Sequence, residues 1–309
     1  MGLLVVLIVA LALTLAVRQQ RARAEAAFPP EGRLIEVAGR QVHAVEAGSG
    51  PTVILVHGAG GNLRDFTFDL AGRLEGRYHV VAFDRPGLGH SEALPGTPSP
   101  TEQARQLEAA AEAMGLGPAV IVGHSYGGAV AMAWGQVAPE RAAAIVTLAG
   151  ATMPWEGPYA AFYHATGSWW ARWTTAPLIS AFAGKRQIAA SLEGIFAPQP
   201  APPGYVDHVG AALTLRRASL AANGRQVLAL REDLAEQSAR YGQMRMPVEI
   251  IHGTADRTVD LDIHARGMLR LLPDANLTVL EGVGHMPHHA DPEATVAAID
   301  RAAARAGLI

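Results

Sequence analysis

The six residues Gly123-His124-Ser125-Tyr126-Gly127-Gly128 constrain this chain more than any other stretch. They follow the apolar run AVIV and open the helix-like run AVAMAWGQV, so the local reading is strand, sharp turn, helix. A serine at such a turn sits in strained backbone, and the residues two before and two after it must be small for strand and helix to approach. Gly123 and Gly127 hold those positions. The turn lifts the hydroxyl above the sheet edge, and the N-terminus of the next helix aims unpaired amides and a positive dipole at developing negative charge. With 33 glycines in 309 residues, a G-x-S-x-G match alone carries little; the flanking strand and helix supply the weight.

The surrounding pattern is α/β. Residues 34–38 and 41–46 read as a hairpin about Gly39-Arg40, and 52–57, 79–83, 119–123 and 144–149 read as strands buried on both faces. Helical stretches fall at 64–74, 100–114 and 126–137. The alternation resumes after 243 with a strand at 248–252, a helix at 261–272, a strand at 277–280 and a last helix at 292–306. Strand–helix alternation implies a parallel sheet with right-handed crossovers. Residues 31–150 and 244–309 are thus expected to form one α/β core interrupted by an insertion, 151–243. The insertion carries Trp155, Trp169, Trp170 and Trp173, four of the five tryptophans, and a proline-rich break at 197–204. It is expected to be a helical cap. Most of its rings serve its own core; Trp155, Trp169 and Trp170, with Gly60 below, are the positions expected to face a substrate.

Composition excludes several classes. Half the residues are hydrophobic and 17% charged, which is incompatible with a disordered chain. A net charge of −3 without a long basic run argues against a nucleic-acid partner. Zero cysteines exclude a disulfide framework, a thiolate metal site and a cysteine nucleophile. Residues 2–17 form a separate problem: sixteen positions without a charge, followed by Arg18, Arg21 and Arg23 and an Ala-rich, Pro-containing linker to residue 30. A helix of that length spans about 24 Å, against roughly 30 Å of hydrocarbon. It is read as an uncleaved single-pass anchor in preference to a signal peptide, because positive charge follows the apolar run instead of preceding it. The side of the membrane stays open, and the protein would be secreted or periplasmic if the segment were cleaved.

A serine hydroxyl needs a base to take its proton, and the base must be held in one tautomer. His285 lies in the loop EGVGHMP after the strand LTVL, and Asp256 in HGTAD after the strand VEII. Each alone would be an ordinary loop histidine or turn aspartate. With Ser125 they stand in the order Ser, Asp, His, each just past a strand, and this makes them the candidate catalytic set. A tetrahedral intermediate also needs two amides aimed at its oxygen. Tyr126, after the serine, is assigned one, and Ala59 in His57-Gly58-Ala59-Gly60-Gly61 the other, with Gly60 as the fallback. His43 is placed on a strand, His57 and His252 as supports of loop backbone, and His124 as packing beside the serine. A metal site from His285, His288 and His289 ranks well below the triad, so no metal is assigned.

These residues resemble the α/β-hydrolase fold, over about residues 34–308. The matching positions are the His57-Gly58 turn, the segment DRPGLGHS from Asp84 to Ser91, the GHSYGG elbow, and the late Asp256 and His285. The resemblance implies an eight-stranded, mostly parallel sheet with one antiparallel strand, flanked by helices, with residues 151–243 as the lid and chemistry without cofactor. It implies a serine hydrolase, esterase- or lipase-like, acting on a small hydrophobic acyl or aryl substrate. Carbon–carbon bond hydrolysis or cofactor-free perhydrolysis by the same triad are the alternatives, as is a non-catalytic, membrane-tethered binding protein. Epoxide hydrolases and haloalkane dehalogenases carry an aspartate where Ser125 stands, so those activities are disfavoured.

Overall fold

The computed structural model describes residues 1–309, apart from the side chain of Lys185. Helix α1 (Gly2–Ala27) precedes strands β1 (Arg33–Val37), β2 (Arg40–Ala47) and β3 (Thr52–Val56). Short helices α2 (Arg64–Thr67) and α3 (Leu70–Leu74) lead to β4 (His79–Phe83), α4 (Pro100–Ala113), β5 (Ala119–His124), α5 (Tyr126–Val137) and β6 (Ala142–Leu148). An inserted helical region follows: α6 (Ala161–Gly167), α7 (Thr175–Phe182), α8 (Lys185–Phe196), α9 (Tyr205–His208), α10 (Ala211–Thr214) and α11 (Arg217–Ser238). The chain then completes the sheet with β7 (Val248–Gly253), α12 (Arg266–Leu269), β8 (Ala275–Leu280), α13 (Pro287–Ala290) and α14 (Pro292–Arg305).

The eight strands pair in the order β1-β2-β4-β3-β5-β6-β7-β8, with β2 antiparallel to both neighbours and all other pairs parallel. β5 and β7 are buried along their whole length, and β3 everywhere but at Thr52, because helices cover both faces of the sheet. Alternate residues point to opposite sides. Ile54, Val56 and Ile121 pack on Leu107 of α4 and Trp134 of α5, while Val53, Leu55, Val120 and Val122 pack on Leu70 and Leu74 of α3 and Ile299 of α14. After β3 the chain moves outward to β4, then crosses back to place β5 on the other side of β3. That reversal opens a crevice beyond the carboxyl ends of β3 and β5. Their register pairs Val56 with Gly123, which brings the His57 loop beside the serine turn.

Three local expectations change. The stretch expected to be a linker after residue 17 continues as helix to Ala27, because QQRARAEAA is rich in good helix formers and the first proline comes only at Pro29. The helix expected over 64–74 breaks between α2 and α3, where Phe68 turns to meet the rings of Tyr205, His208 and His289. The helix expected over 261–272 is a π turn, Leu261–Ala265, followed only by α12. Residues 2–9 of α1 stand exposed. Its second half docks on the insertion, where Ala24 is buried, Gln20 Nε2 donates to Ala212 O at 3.0 Å and Glu25 pairs with Arg216 at 3.0 Å. α1 is long and apolar enough to cross a membrane.

The turn after β4 is organised by the buried Asp84, which accepts from Leu63 N and His90 N at 2.8 Å each and from His43 Nδ1 at 2.6 Å. The carboxylate lies so close over Gly89, at φ +50°, that a Cβ there would fall 2.0 Å from it. Burial of His43 opposes its charged form, but its two ring nitrogens face Asp84 and the carbonyl of Glu31. The hydrogen bond and charge of Asp84 dominate and raise its pKa above the ordinary histidine value. A group with a raised folded pKa stabilises fully below its unfolded pKa and loses that contribution as pH climbs through the folded value. The thermal midpoint should therefore fall by roughly 2–4 °C for each kcal/mol lost as pH rises from 6 towards 9. His43→Gln should flatten that slope, and a slope unchanged in the variant would refute the assignment.

Candidate active site

Ser125 caps α5 with φ +52° and ψ −119°, the strained backbone expected at the elbow. What makes the strain tenable is the absence of side chains around it. A Cβ on Gly123 would lie 2.1 Å from Gly127 O, one on Gly127 2.1 Å from Val56 O, and one on Gly128 2.7 Å from the Cα of Gly150. Strand, helix and neighbouring strand meet backbone to backbone, and Ser125 Oγ stands above them.

The structure brings the three candidate residues together. Ser125 Oγ donates to His285 Nε2 at 2.9 Å, and His285 Nδ1 donates to Asp256 Oδ2 at 2.8 Å. Asp256 follows β7 and His285 follows β8, two loops at the same sheet edge as the elbow. The second carboxylate oxygen of Asp256 accepts from Thr258 N at 2.8 Å and Val259 N at 3.0 Å. Burial alone would raise this carboxyl, but hydrogen bonds from His252 and His285 and the Val259 amide hold it well below the usual carboxylate range. Asp256 is thus an anion throughout the neutral range. His252 sits 3.2 Å from Asp256 and donates to Val259 O at 2.8 Å, which makes it a support of this loop as expected.

Ala59 and Gly60 lie in the loop whose Gly58 approaches Ser125 closely, and the two differ in hydrogen bonding. Gly60 N donates to Asn223 Oδ1 at 2.7 Å, so the fallback amide is occupied. The Tyr126 amide, first in its helix, has no intrahelical acceptor. The loop is held from behind by Arg85, which is fully buried and has no carboxylate partner among the described residues. Its guanidinium donates to His57 O at 3.0 Å, Gly58 O at 3.1 Å, Gln103 Oε1 at 2.8 Å and Gln226 Oε1 at 3.1 Å, and lies 4.1 Å from the Tyr126 ring centroid. Desolvation lowers its pKa to about 10, still cationic at neutral pH. His57 accepts from Arg85 N at 2.9 Å; burial first, then the Arg85 charge, lower its pKa to about 4, so it serves as a neutral strut. Arg85 belonged to the quoted DRPGLGHS segment, yet nothing in that segment reveals which carbonyls it reaches.

His285, His288 and His289 do not form one cluster. His288 and His289 turn to Asp65 on α2, donating from Nε2 at 3.1 and 2.8 Å, and Tyr205 OH donates to the same carboxylate at 2.8 Å. Burial opposes the Asp65 anion, but the two histidines hold its pKa far below normal. One carboxylate and two imidazoles would suit a divalent ion, and the three ligand atoms lie within 4.8 Å of one another. The hydrogen bonds as they stand satisfy the carboxylate and tie α13 to α2. His124, beyond packing beside the serine, donates from Nε2 to His285 O at 2.9 Å and so steadies the triad loop.

The three tryptophans expected at a substrate lie away from the cavity beside Ala59. A cavity of about 850 Å³ opens at Ala59 and Gly60, and its walls come from Phe162, Tyr163, Leu178, Phe182, Ile188 and Leu192. Trp155, Trp169 and Trp170 do not line it. Trp155 packs on Tyr159 and His264 beneath Arg231, and Trp169 and Trp170 lie on the outer surface, 82% and 41% exposed. Tryptophan content marks apolar surface without telling which surface it is, and here Phe, Tyr and aliphatic residues of α6, α7 and α8 supply the wall.

Residues 53–298 match the model of the alpha/beta hydrolase family. Polyketide synthase ThaQ of Burkholderia thailandensis is 29% identical over 260 residues, 80% of this chain, but the chain spans only 11% of that protein. The 2-hydroxy-6-oxo-6-phenylhexa-2,4-dienoate hydrolase of Burkholderia cepacia is 26% identical over 268 residues, 81% of this chain and 87% of that protein. Among solved structures, a bacterial membrane phospholipase A shares the fold with a TM-score of 0.68 at 22% identity, covering 97% of each chain. With its family signature spread over most of its length and its eight-stranded sheet, this chain belongs to the alpha/beta hydrolase family.

Proposed function

We propose that this protein is a membrane-anchored serine hydrolase that cleaves carboxylic esters of apolar acyl chains. The observation that carries the reading is the relay from Asp256 through His285 to Ser125, with links of 2.8 and 2.9 Å; Gly58 approaches Ser125 closely, and the next two residues, Ala59 and Gly60, border an apolar cavity. Ser125 Oγ attacks the ester carbonyl while its proton passes to His285 Nε2, and the Asp256 anion stabilises the imidazolium. The amides of Ala59 and Tyr126 receive the oxyanion. The imidazolium returns its proton to the departing alcohol, and a water activated by His285 then releases the acid from the acyl-serine. The acyl chain lies in the cavity between Ala59 and the α6–α8 wall, and residues 151–243 act as a lid.

The structural resemblance to a membrane phospholipase A over 97% of the chain agrees with a lipid acyl ester as substrate. Similarity to a dienoate hydrolase favours carbon–carbon bond cleavage as the second reading. Such a substrate carries a carboxylate, however, and no arginine, lysine or histidine stands among the described residues lining the cavity. The test is labelling of the full chain with a fluorophosphonate and turnover of p-nitrophenyl esters of increasing chain length. Labelling at Ser125 with kcat/KM rising from acetate to octanoate is expected. A folded protein inert to the label would sink the reading, and faster cleavage of a ring-fission dienoate than of any ester would replace it.

A further inference from the structure

A second cavity, of about 720 Å³, lies where α1 docks against the insertion, and it is strongly cationic. Arg18 and Arg21 reach it from α1, Arg172 from the short 3-10 turn before α7, and Arg216, Arg217 and Arg225 from the N-cap and first half of α11. Only two carboxylates border it. Glu25 is engaged with Arg21 at 2.9 Å and Arg216 at 3.0 Å, and Glu92 accepts from Gln41 N. Among the described residues, Arg18, Arg172, Arg217 and Arg225 have no carboxylate partner. Arg217 donates from Nε to Arg172 O at 2.9 Å, and both guanidinium groups stack on Trp173, at 5.1 and 5.0 Å. Like charges held this close repel unless an anion joins them. Half-buried Arg225 registers the conflict: burial first, then the Arg172 charge, lower its pKa.

Position identifies the anion. Val17, last residue of the apolar run, borders the same cavity as Arg18, so if residues 2–17 span the bilayer the groove lies at the height of the lipid headgroups. Beside it, Trp173, stacked with Arg172 and Arg217, is 65% exposed, as suits a ring in the membrane interface. Positive charge flanking an apolar helix can be explained by insertion alone, but Arg172, Arg216, Arg217 and Arg225 come from well over a hundred residues away and meet Arg18 and Arg21 only in the folded protein.

We propose that this groove between α1 and α11 binds the phosphate of an anionic phospholipid. Arginine forks suit phosphate oxygens better than any other side chain. The site is distinct from the ester-cleaving one: Leu220 and Asn223 of α11 face the acyl cavity, while Ala218, Ala222 and Arg225 face the groove. The bound lipid thus fixes the tilt of the body on the membrane and is not the molecule cleaved.

The full chain in detergent micelles, followed by native mass spectrometry, tests this with three probes: phosphatidylglycerol, phosphatidylcholine and inorganic phosphate. One phosphatidylglycerol per chain is expected, bound about tenfold more tightly than phosphatidylcholine, undisplaced by millimolar phosphate and weakened by salt. Arg172→Gln/Arg225→Gln should reduce that affinity about tenfold or more. Equal retention of the two lipids, displacement by inorganic phosphate, or undiminished binding by the variant would each overturn the proposal. The comparison of lipids on the unaltered protein decides the matter even where the variant fails to fold.

Discussion

Ser125→Ala should lower ester turnover by about five to six orders of magnitude, with the thermal midpoint of the parent protein essentially retained. The size follows from the relay. Without Oγ there is no nucleophile for His285 to deprotonate, and what is left is the stabilisation of an attacking water by the oxyanion amides. The stability expectation follows from burial: Oγ makes one hydrogen bond, to His285, and alanine can occupy the same positive φ at a cost similar to serine. The double variant Ser125→Ala/His285→Ala should be no slower than Ser125→Ala, because residues acting as one unit lose their effect together. Initial rates on a p-nitrophenyl ester, normalised to folded protein, measure both. A loss under a hundredfold, or losses that add in the double variant, would place the nucleophile elsewhere.

The elbow was legible because its chemistry is local: glycines at fixed offsets, an apolar strand before and a helix after. The relay was legible because each member lies within five residues of the end of a strand, and parallel strands deliver their carboxyl ends to one edge. Other features depend on contacts between distant segments. Asp65 and His288 are 223 positions apart, and no spacing rule joins them. Arg85 sits in a recognisable segment, but its partners Gln103 and Gln226 come from α4 and α11. The break at Phe68 arises because its ring is captured by the insertion, a tertiary contact that overrides a continuous helical pattern. Which tryptophans border the cavity was illegible for a related reason. Aromatic rings suit an apolar cavity wall and an exposed face carrying arginines alike, so composition could not divide the rings between them.

Two glycine-to-alanine exchanges should separate packing at the elbow from generic helix propensity. Gly127→Ala places a methyl 2.1 Å from Val56 O and 2.7 Å from His57 O, both backbone atoms with no rotamer to yield. Relief requires α5 to move off the sheet, which would carry the Tyr126 amide and Ser125 with it. A destabilisation of about 4 kcal/mol or more is expected, enough to deplete soluble protein. Any folded remainder should have lost at least about a hundredfold in kcat, since a displacement near 1 Å has that cost at a reacting centre. Gly72→Ala is the counterpart. It lies exposed within α3, outside the left-handed region, with nothing within 4 Å of the new Cβ. There the gain in helix propensity should stabilise by up to about 1 kcal/mol and leave turnover unaltered. Thermal denaturation and ester kinetics on both variants check the contrast. A soluble, active Gly127→Ala protein would mean that strand and helix can part without loss, and the rigid placement of the serine hydroxyl would then need another explanation.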